Sequence, residues 1–335
     1  MAVRHRAPSK AEIGVEIMAV RCAILDDYQN VALKVADWSK VKNDIEITVF
    51  NEHLGEPDKV VAALKGFEII VAMRERTGFP KQIIEALPDL KLLITTGIRN
   101  ASIDIEADKA RGVMVCGTST FGNPTSGIAV GLMLELTRRI GRENARMHSG
   151  VLWQSTIGVD LEGMTLGILG LGKLGVRTAN IGKAFGMDVI AWSQNLTAEK
   201  CREAGVGYVS KEDLFRRSDF LTIHVVLSQR TRGLVGAGEL GLMKPTAFII
   251  NTARGPIINE AALLAVLRDK KIAGAGLDVF DTEPLPLDHP LRKMDNVVIT
   301  PHLGYVSVQN YRRYFADAVE DIRGFLDGKP VRVMT

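Results

Sequence analysis

Short runs of β-branched and aliphatic residues alternate with helix-spaced segments twice along the chain, and no other feature limits the fold as much. In the first series Cys22–Leu25, Ile45–Phe50, Ile69–Ala72, Leu92–Thr95 and Val113–Cys116 read as strands. Between them Val31–Trp38, Pro57–Ala63, Pro80–Leu87 and Ile103–Arg111 carry helical spacing. The second series offers Thr165–Leu169, Asp188–Trp192, Gly207–Val209, Phe220–His224, Ala247–Asn251, Gly274–Val279 and Val297–Thr300. Strands separated by helices pair in parallel, so each series predicts βαβ units in a doubly wound α/β sheet. One long helix is expected from Pro124 to about His148, with Ile128, Leu132, Leu136 and Ile140 recurring every four residues. Its Ile128 face reads as core or dimer packing. A final helix, Val308 to about Leu326, follows the second sheet and is expected to return to the first.

A length of 335 residues suits two domains. Lys and Arg number 42 against 39 Asp and Glu, and this near balance excludes a strongly basic nucleic-acid or membrane surface. Cys22, Cys116 and Cys201 are widely spaced, which argues against a zinc ribbon or disulfide framework and fits a cytoplasmic, reducing location. Residues 1–17 hold Arg4, His5, Arg6 and Lys10 without an apolar stretch, so they read as a flexible extension rather than a secretory signal.

Gly170-Leu171-Gly172-Lys173-Leu174-Gly175 is a G-x-G-x-x-G pattern. The bare pattern is weak; its position between a strand-like and a helix-like segment gives it weight. Gly170 allows a tight turn, Gly172 brings bare backbone to a pyrophosphate, and Gly175 lets helix and strand approach closely. The amides of Lys173 and Leu174 open the helix and favour an anion. The next strand ends Ala191-Trp192-Ser193-Gln194-Asn195, with Ser193 where an acid usually grips the adenosine ribose. NAD or NADP therefore both remain open. Each sheet is expected to be Rossmann-like.

Three strand ends in the second half carry the chemistry. Asn251-Thr252-Ala253-Arg254-Gly255 supplies an arginine, Asp278-Val279-Phe280-Asp281-Thr282-Glu283 supplies carboxylates, and Thr300-Pro301-His302 supplies a histidine. Ligands of α/β sheets bind at the carboxyl ends of strands, so the three can meet in one crevice. An arginine, a carboxylate and a histidine suit hydride transfer to a 2-oxo acid. His224, which ends another strand, is expected to line the cofactor crevice. No metal ligands are implied.

From about Val20 to Val331 the chain resembles the D-isomer-specific 2-hydroxyacid dehydrogenases. The resemblance rests on Leu166-Gly-Ile-Leu-Gly-Leu-Gly172, Met243-Lys-Pro245, Asn251–Gly255, Asp278-Val279 with Glu283-Pro284, and Thr300-Pro-His302. It implies a substrate domain of about 18–121 plus 303–335 around an inserted dinucleotide-binding domain of about 122–302. It further implies that His302 is the general acid, that Glu283 hydrogen-bonds its imidazole, and that Arg254 clamps the substrate carboxylate. Asp278 would accept from the nicotinamide carboxamide, and Thr252 would join the cofactor site. Backbone N–H groups of Gly97 and Ile98 match the loop that holds the substrate carboxylate. A homodimer through the cofactor domain is implied, with the 124–148 helix as a contact.

The expected activity is NAD(P)-dependent reduction of a small 2-oxo acid, glyoxylate or hydroxypyruvate. The alternatives are a phosphoglycerate dehydrogenase-like enzyme and a dinucleotide-sensing, corepressor-like binder of the same fold. Departures from the family pattern are Val226, where proline is usual, and Tyr305, where a second glycine is common. Arg74, Glu75 and Arg76 follow a strand of the first domain; a solvated charge cluster is the simpler reading, recognition of a second anionic group the bolder one.

Overall fold

Strands that are apolar on both faces need cover on both, and among the described residues twelve strands, the central ones of this kind, build two parallel sheets with helices between them. The structure, a computed structural model, describes residues 19–334, so the extension expected over residues 1–17 lies outside the described residues. The chain divides into two compact units, one running up to Phe121 and resuming at Val308, the other spanning Gly122–Ser307.

Unit 1 contains β1 (Val20–Ile24), β2 (Ile45–Val49), β3 (Ile69–Ala72), β4 (Leu92–Thr95) and β5 (Met114–Gly117), in the order β2-β1-β3-β4-β5. Strands β3 and β4 are buried at every position, as their unbroken apolar sequences Ile-Ile-Val-Ala and Leu-Leu-Ile-Thr require. The closing helix, Val308–Leu326, belongs to this unit. Its Tyr314 and Phe315 are buried, and the Phe315 ring lies 6.3 Å from that of Trp38.

Unit 2 contains β6 (Thr165–Leu169), β7 (Asp188–Trp192), β8 (Gly207–Tyr208), β9 (Phe220–Ile223), β10 (Phe248–Asn251), β11 (Gly274–Leu277) and β12 (Val297–Ile299). The order is β12-β11-β10-β9-β6-β7-β8, with every pair parallel. The direction of winding reverses between β6 and β9, which makes the end of β6 the switch point of the sheet.

Three expectations change. The 124–148 helix is two helices, Thr125–Arg138 and Ile140–His148, because Arg139 takes a left-handed conformation at φ 50° and ψ 40°. Glu135 stabilises the break from both sides: its carbonyl accepts Arg139 N–H at 2.8 Å and its carboxylate accepts Gly141 N–H at 2.8 Å. The first helix buries Ala129, Leu132, Met133 and Leu136, so its apolar face is core. The segment expected as the helix Val31–Trp38 is a short helix, Ala32–Val35, and a 3-10 turn, Trp38–Lys40, started by Ser39 N–H donating to the Asp37 carboxylate. The return to unit 1 falls after Ser307 rather than after His302, since Thr125 Oγ1 donates to Gly304 O at 2.9 Å and holds that turn in unit 2.

No helix among the described residues is long and apolar enough to cross a membrane.

Candidate active site

Parallel pairing in one register sets the site. Ile299, Leu277, Asn251, Ile223, Leu169 and Trp192 lie side by side across six strands of unit 2. Whatever follows these six residues leaves the sheet along a single edge. Those followers are Thr300 to His302, Asp278, Thr252 to Arg254, His224, Gly170 to Gly172, and Ser193. Residues from Gly170 to His302 in sequence are thus gathered by the register alone.

His302 takes a left-handed conformation, with φ 53° and ψ 54°. That backbone costs a non-glycine residue about 1–2 kcal/mol, so something must hold it. Asp278 does. Its carboxylate is fully buried and accepts from Thr300 Oγ1 at 2.6 Å, Leu303 N–H at 2.7 Å and Gly304 N–H at 2.7 Å. Burial raises the Asp278 carboxyl above its ordinary range, against the pull of these donors and of His302. This loop-holding role was missed in the sequence, although the in-register pair Leu277 and Ile299 already makes Asp278 and Thr300 neighbours. The carboxamide role expected for Asp278 has to share the carboxylate with three internal donors.

The imidazole points at Glu283, with His302 Nδ1 2.6 Å from Glu283 Oε2. The other carboxylate oxygen accepts Phe280 N–H at 3.0 Å, which fixes the acid in place. A carboxylate at Nδ1 makes that nitrogen the donor and leaves Nε2 for chemistry. The Tyr305 ring meets the His302 ring edge-on at 5.6 Å between centroids. Arg254 follows β10, and Asn251 shapes its loop by donating from Nδ2 to Arg254 O at 2.9 Å and accepting Ala253 N–H at 3.0 Å. Arg254 Nη1 donates to Ala253 O at 2.7 Å.

The glycine loop fits a dinucleotide. Gly170 has φ 103°, and a β-carbon there would lie 2.9 Å from the His224 carbonyl carbon. On Gly175 it would fall 2.1 Å from Gly170 O, so helix and strand touch there. A β-carbon on Gly172 meets nothing within 4 Å, so the space beside that backbone is open. No side chain caps the helix Lys173–Ala184, so its positive end is available to a pyrophosphate. Farther along the edge, Thr252 Oγ1 is buried with no hydrogen-bond partner among the described residues, and a bound cofactor would satisfy it. His224 is 3.0 Å from Thr222 Oγ1 through Nε2, and burial pushes its imidazole down to about 4. Ser193 is half-buried directly after β7.

Gly97 and Ile98 lie after β4 in unit 1. Of the two amides expected to hold a substrate carboxylate, Gly97 N–H donates to Thr118 Oγ1 at 2.8 Å. Among the described residues, Ile98 N–H has no such partner. Arg74 is not part of a solvated cluster. Its guanidinium lies on Gly97, donates to Thr96 O at 3.2 Å and reaches the Glu75 carboxylate at 3.6 Å.

The chain is similar to known proteins over most of its length. The D-isomer specific 2-hydroxyacid dehydrogenase NAD binding domain family matches residues 130–304. A glyoxylate reductase of Aeropyrum pernix is 38% identical over 256 residues, covering 74% of this chain and 76% of that protein. A hydroxypyruvate reductase of Thermotoga maritima is 36% identical over 285 residues, covering 84% and 91%. The solved structure of a phosphoglycerate oxidoreductase from Vibrio cholerae O395 matches with a TM-score of 0.87 at 33% identity, covering 92% of this chain and 99% of that one. These likenesses reach well beyond the glycine loop, and they establish that the chain belongs to the D-isomer-specific 2-hydroxyacid dehydrogenase family.

Proposed function

We propose that the protein reduces small 2-oxo acids, glyoxylate or hydroxypyruvate, to the corresponding 2-hydroxy acids. The observation that carries this reading is the 2.6 Å hydrogen bond between His302 Nδ1 and Glu283, which makes Nε2 the ring nitrogen that would exchange a proton with substrate, on the same edge as the glycine loop. A bound reduced nicotinamide supplies a hydride to the carbonyl carbon. His302 gives a proton to the carbonyl oxygen, so the C=O bond becomes a C–H and an O–H bond. Glu283 stabilises the imidazolium before transfer and holds the ring in one tautomer. Arg254 pairs with the substrate carboxylate and draws charge from the carbonyl. In unit 1 we assign Ile98 N–H to binding a substrate carboxylate.

The amides of Gly172, Lys173 and Leu174 hold the pyrophosphate, and Thr252 and His224 border the cofactor. No acid stands at Ser193 to repel a 2′-phosphate, so NADPH is accepted beside NADH. Oxidation of each dinucleotide by the purified protein in the presence of glyoxylate, hydroxypyruvate or pyruvate tests the reading. Turnover with the first two supports it, and binding without turnover would favour a dinucleotide-sensing protein.

We assign the homodimer to the second of the two helices and the segment after it. Ile140, Met147, Leu152, Trp153, Ile157 and Val159 are all exposed there, a run of apolar side chains that a second copy would cover. The segment is held in shape at its base, where Ser155 N–H and Thr156 Oγ1 donate to the Glu143 carboxylate. Three buried, unpaired cysteines suit a cytoplasmic location.

A further inference from the structure

Unit 1 has an edge strand, β5, and the chain returns to cover it after the closing helix. Val333 pairs antiparallel with Cys116; Gly117 N–H donates to Arg332 O at 3.1 Å and Met334 N–H donates to Val115 O at 2.8 Å. Two features make this more than a covered edge.

The first is a side-chain clamp. Arg332, left-handed at φ 51°, donates from Nε to Asp321 Oδ1 at 3.0 Å, from Nη1 to Glu320 Oε2 at 3.0 Å and from Nη2 to Asp317 O at 2.7 Å. The Asp317 carboxylate in turn accepts Ser119 N–H at 2.8 Å, and Ser119 Oγ as well. Arg332 therefore ties the returning segment to the closing helix, and Asp317 ties that helix to the residues just after β5.

The second is a contact through a missing side chain. A β-carbon on Gly117 would lie 2.7 Å from Met334 Sδ, 3.0 Å from Gly97 O and 3.4 Å from Ile98 Cα. Met334 and the Gly97–Ile98 loop thus both crowd the place where a side chain on Gly117 would stand. The neighbouring residue completes the support: Thr118 Oγ1 accepts Gly97 N–H and Thr118 N–H donates to Thr95 O at 3.1 Å. With Gly97 N–H used internally, the next amide, Ile98, is the one left without a hydrogen-bond partner among the described residues.

We infer that Val331–Met334 is a positioning element for the substrate-carboxylate loop, setting affinity for the 2-oxo acid through Gly117 and Thr118. Met334 and Arg332 are positioning residues that touch neither substrate nor cofactor. The inference rests on the assignment of Ile98 to the substrate carboxylate. Loosening the segment removes binding shared by ground state and transition state, so KM for the acid rises while kcat stays.

The test combines steady-state kinetics with amide exchange. In the wild-type protein with NADH, oxamate as an inert 2-oxo-acid mimic slows exchange in the peptide spanning residues 96–101. Met334→Ala and Arg332→Ala speed exchange there and raise KM for glyoxylate or hydroxypyruvate about tenfold, with kcat and the KM for NADH within about twofold. Met334→Leu, which refills the space over Gly117, restores KM. If oxamate protects the peptide but both alanine variants keep the wild-type KM, the positioning role is overturned and the loop assignment stands. If oxamate gives no protection there, the loop assignment fails and the inference with it. Parallel loss of kcat and NADH affinity would reveal a general structural defect and would also overturn it.

Discussion

His302 Nδ1 and Glu283 Oε2 stand 2.6 Å apart although 19 residues separate them, and the left-handed backbone of His302 is what turns its ring toward the acid. Three hydrogen bonds to the buried Asp278 hold that backbone, so the proposed catalytic pair depends on a carboxylate that belongs to neither partner. General acid catalysis by a positioned side chain contributes about 10²–10⁴-fold. His302→Ala is therefore expected to lower kcat by about that factor and leave NADH affinity within about twofold. Glu283→Gln should lower kcat by a smaller factor. Fluorescence titration with NADH beside initial rates checks both, and unchanged turnover in His302→Ala would remove it from the mechanism.

In the proposed reading, cofactor choice turns on Ser193. Ser193→Asp places a charge where a 2′-phosphate would lie, and should lower kcat/KM for NADPH at least about tenfold relative to NADH. An unaltered ratio would place the adenosine ribose elsewhere.

Much of this was legible in the sequence. The twelve strands among the described residues coincide with runs readable in the sequence, and Gly170 and Gly175 make the tight turn and close approach their spacing implies, because steric rules at a strand–helix turn are local. What escaped is non-local or unsignalled. Arg139 breaks a helix in a left-handed conformation that glycine or asparagine would have announced. Gly97 gives its amide to Thr118, and Arg332 gathers acids from the closing helix; no periodicity records either pairing. Burial is equally silent: Asp108 looks like a surface acid on a short helix, yet it is fully buried.

That burial predicts a pH effect. Neither oxygen of Asp108 has a hydrogen-bond partner among the described residues, and desolvation, helped by Asp104, raises its carboxyl to about 7. An acid whose pKa is higher in the folded state binds its proton more tightly there, so stability falls as pH rises from the unfolded value of about 4 towards 7. Asp108→Asn should unfold at a higher temperature than wild type at pH 8, with the gap closing at pH 4. Identical thermal scans at both pH values would contradict this.

His224 predicts the opposite slope. Burial lowers its imidazole to about 4, so the unfolded chain binds the extra proton between about 4 and 6.5 and stability rises with pH across that window. His224→Gln should flatten the stability profile between these values, as denaturant titration at several pH values would show. A histidine neutral throughout the working range also predicts no inflection in kcat from His224 above pH 6.

The apolar patch predicts assembly. Trp153→Lys with Ile157→Lys should convert a dimer into a monomer by light scattering, at unchanged secondary structure. A double variant that stays dimeric would move the interface elsewhere.

The central claim is that the edge built around His302 and the glycine loop reduces 2-oxo acids. The most direct measurement is NADH and NADPH oxidation by wild type and His302→Ala on glyoxylate and hydroxypyruvate. Turnover by wild type that falls about 10²-fold or more in the variant, with dinucleotide binding retained, is the predicted result. Equal rates in the two proteins, or dinucleotide binding with no turnover of either acid, would contradict it.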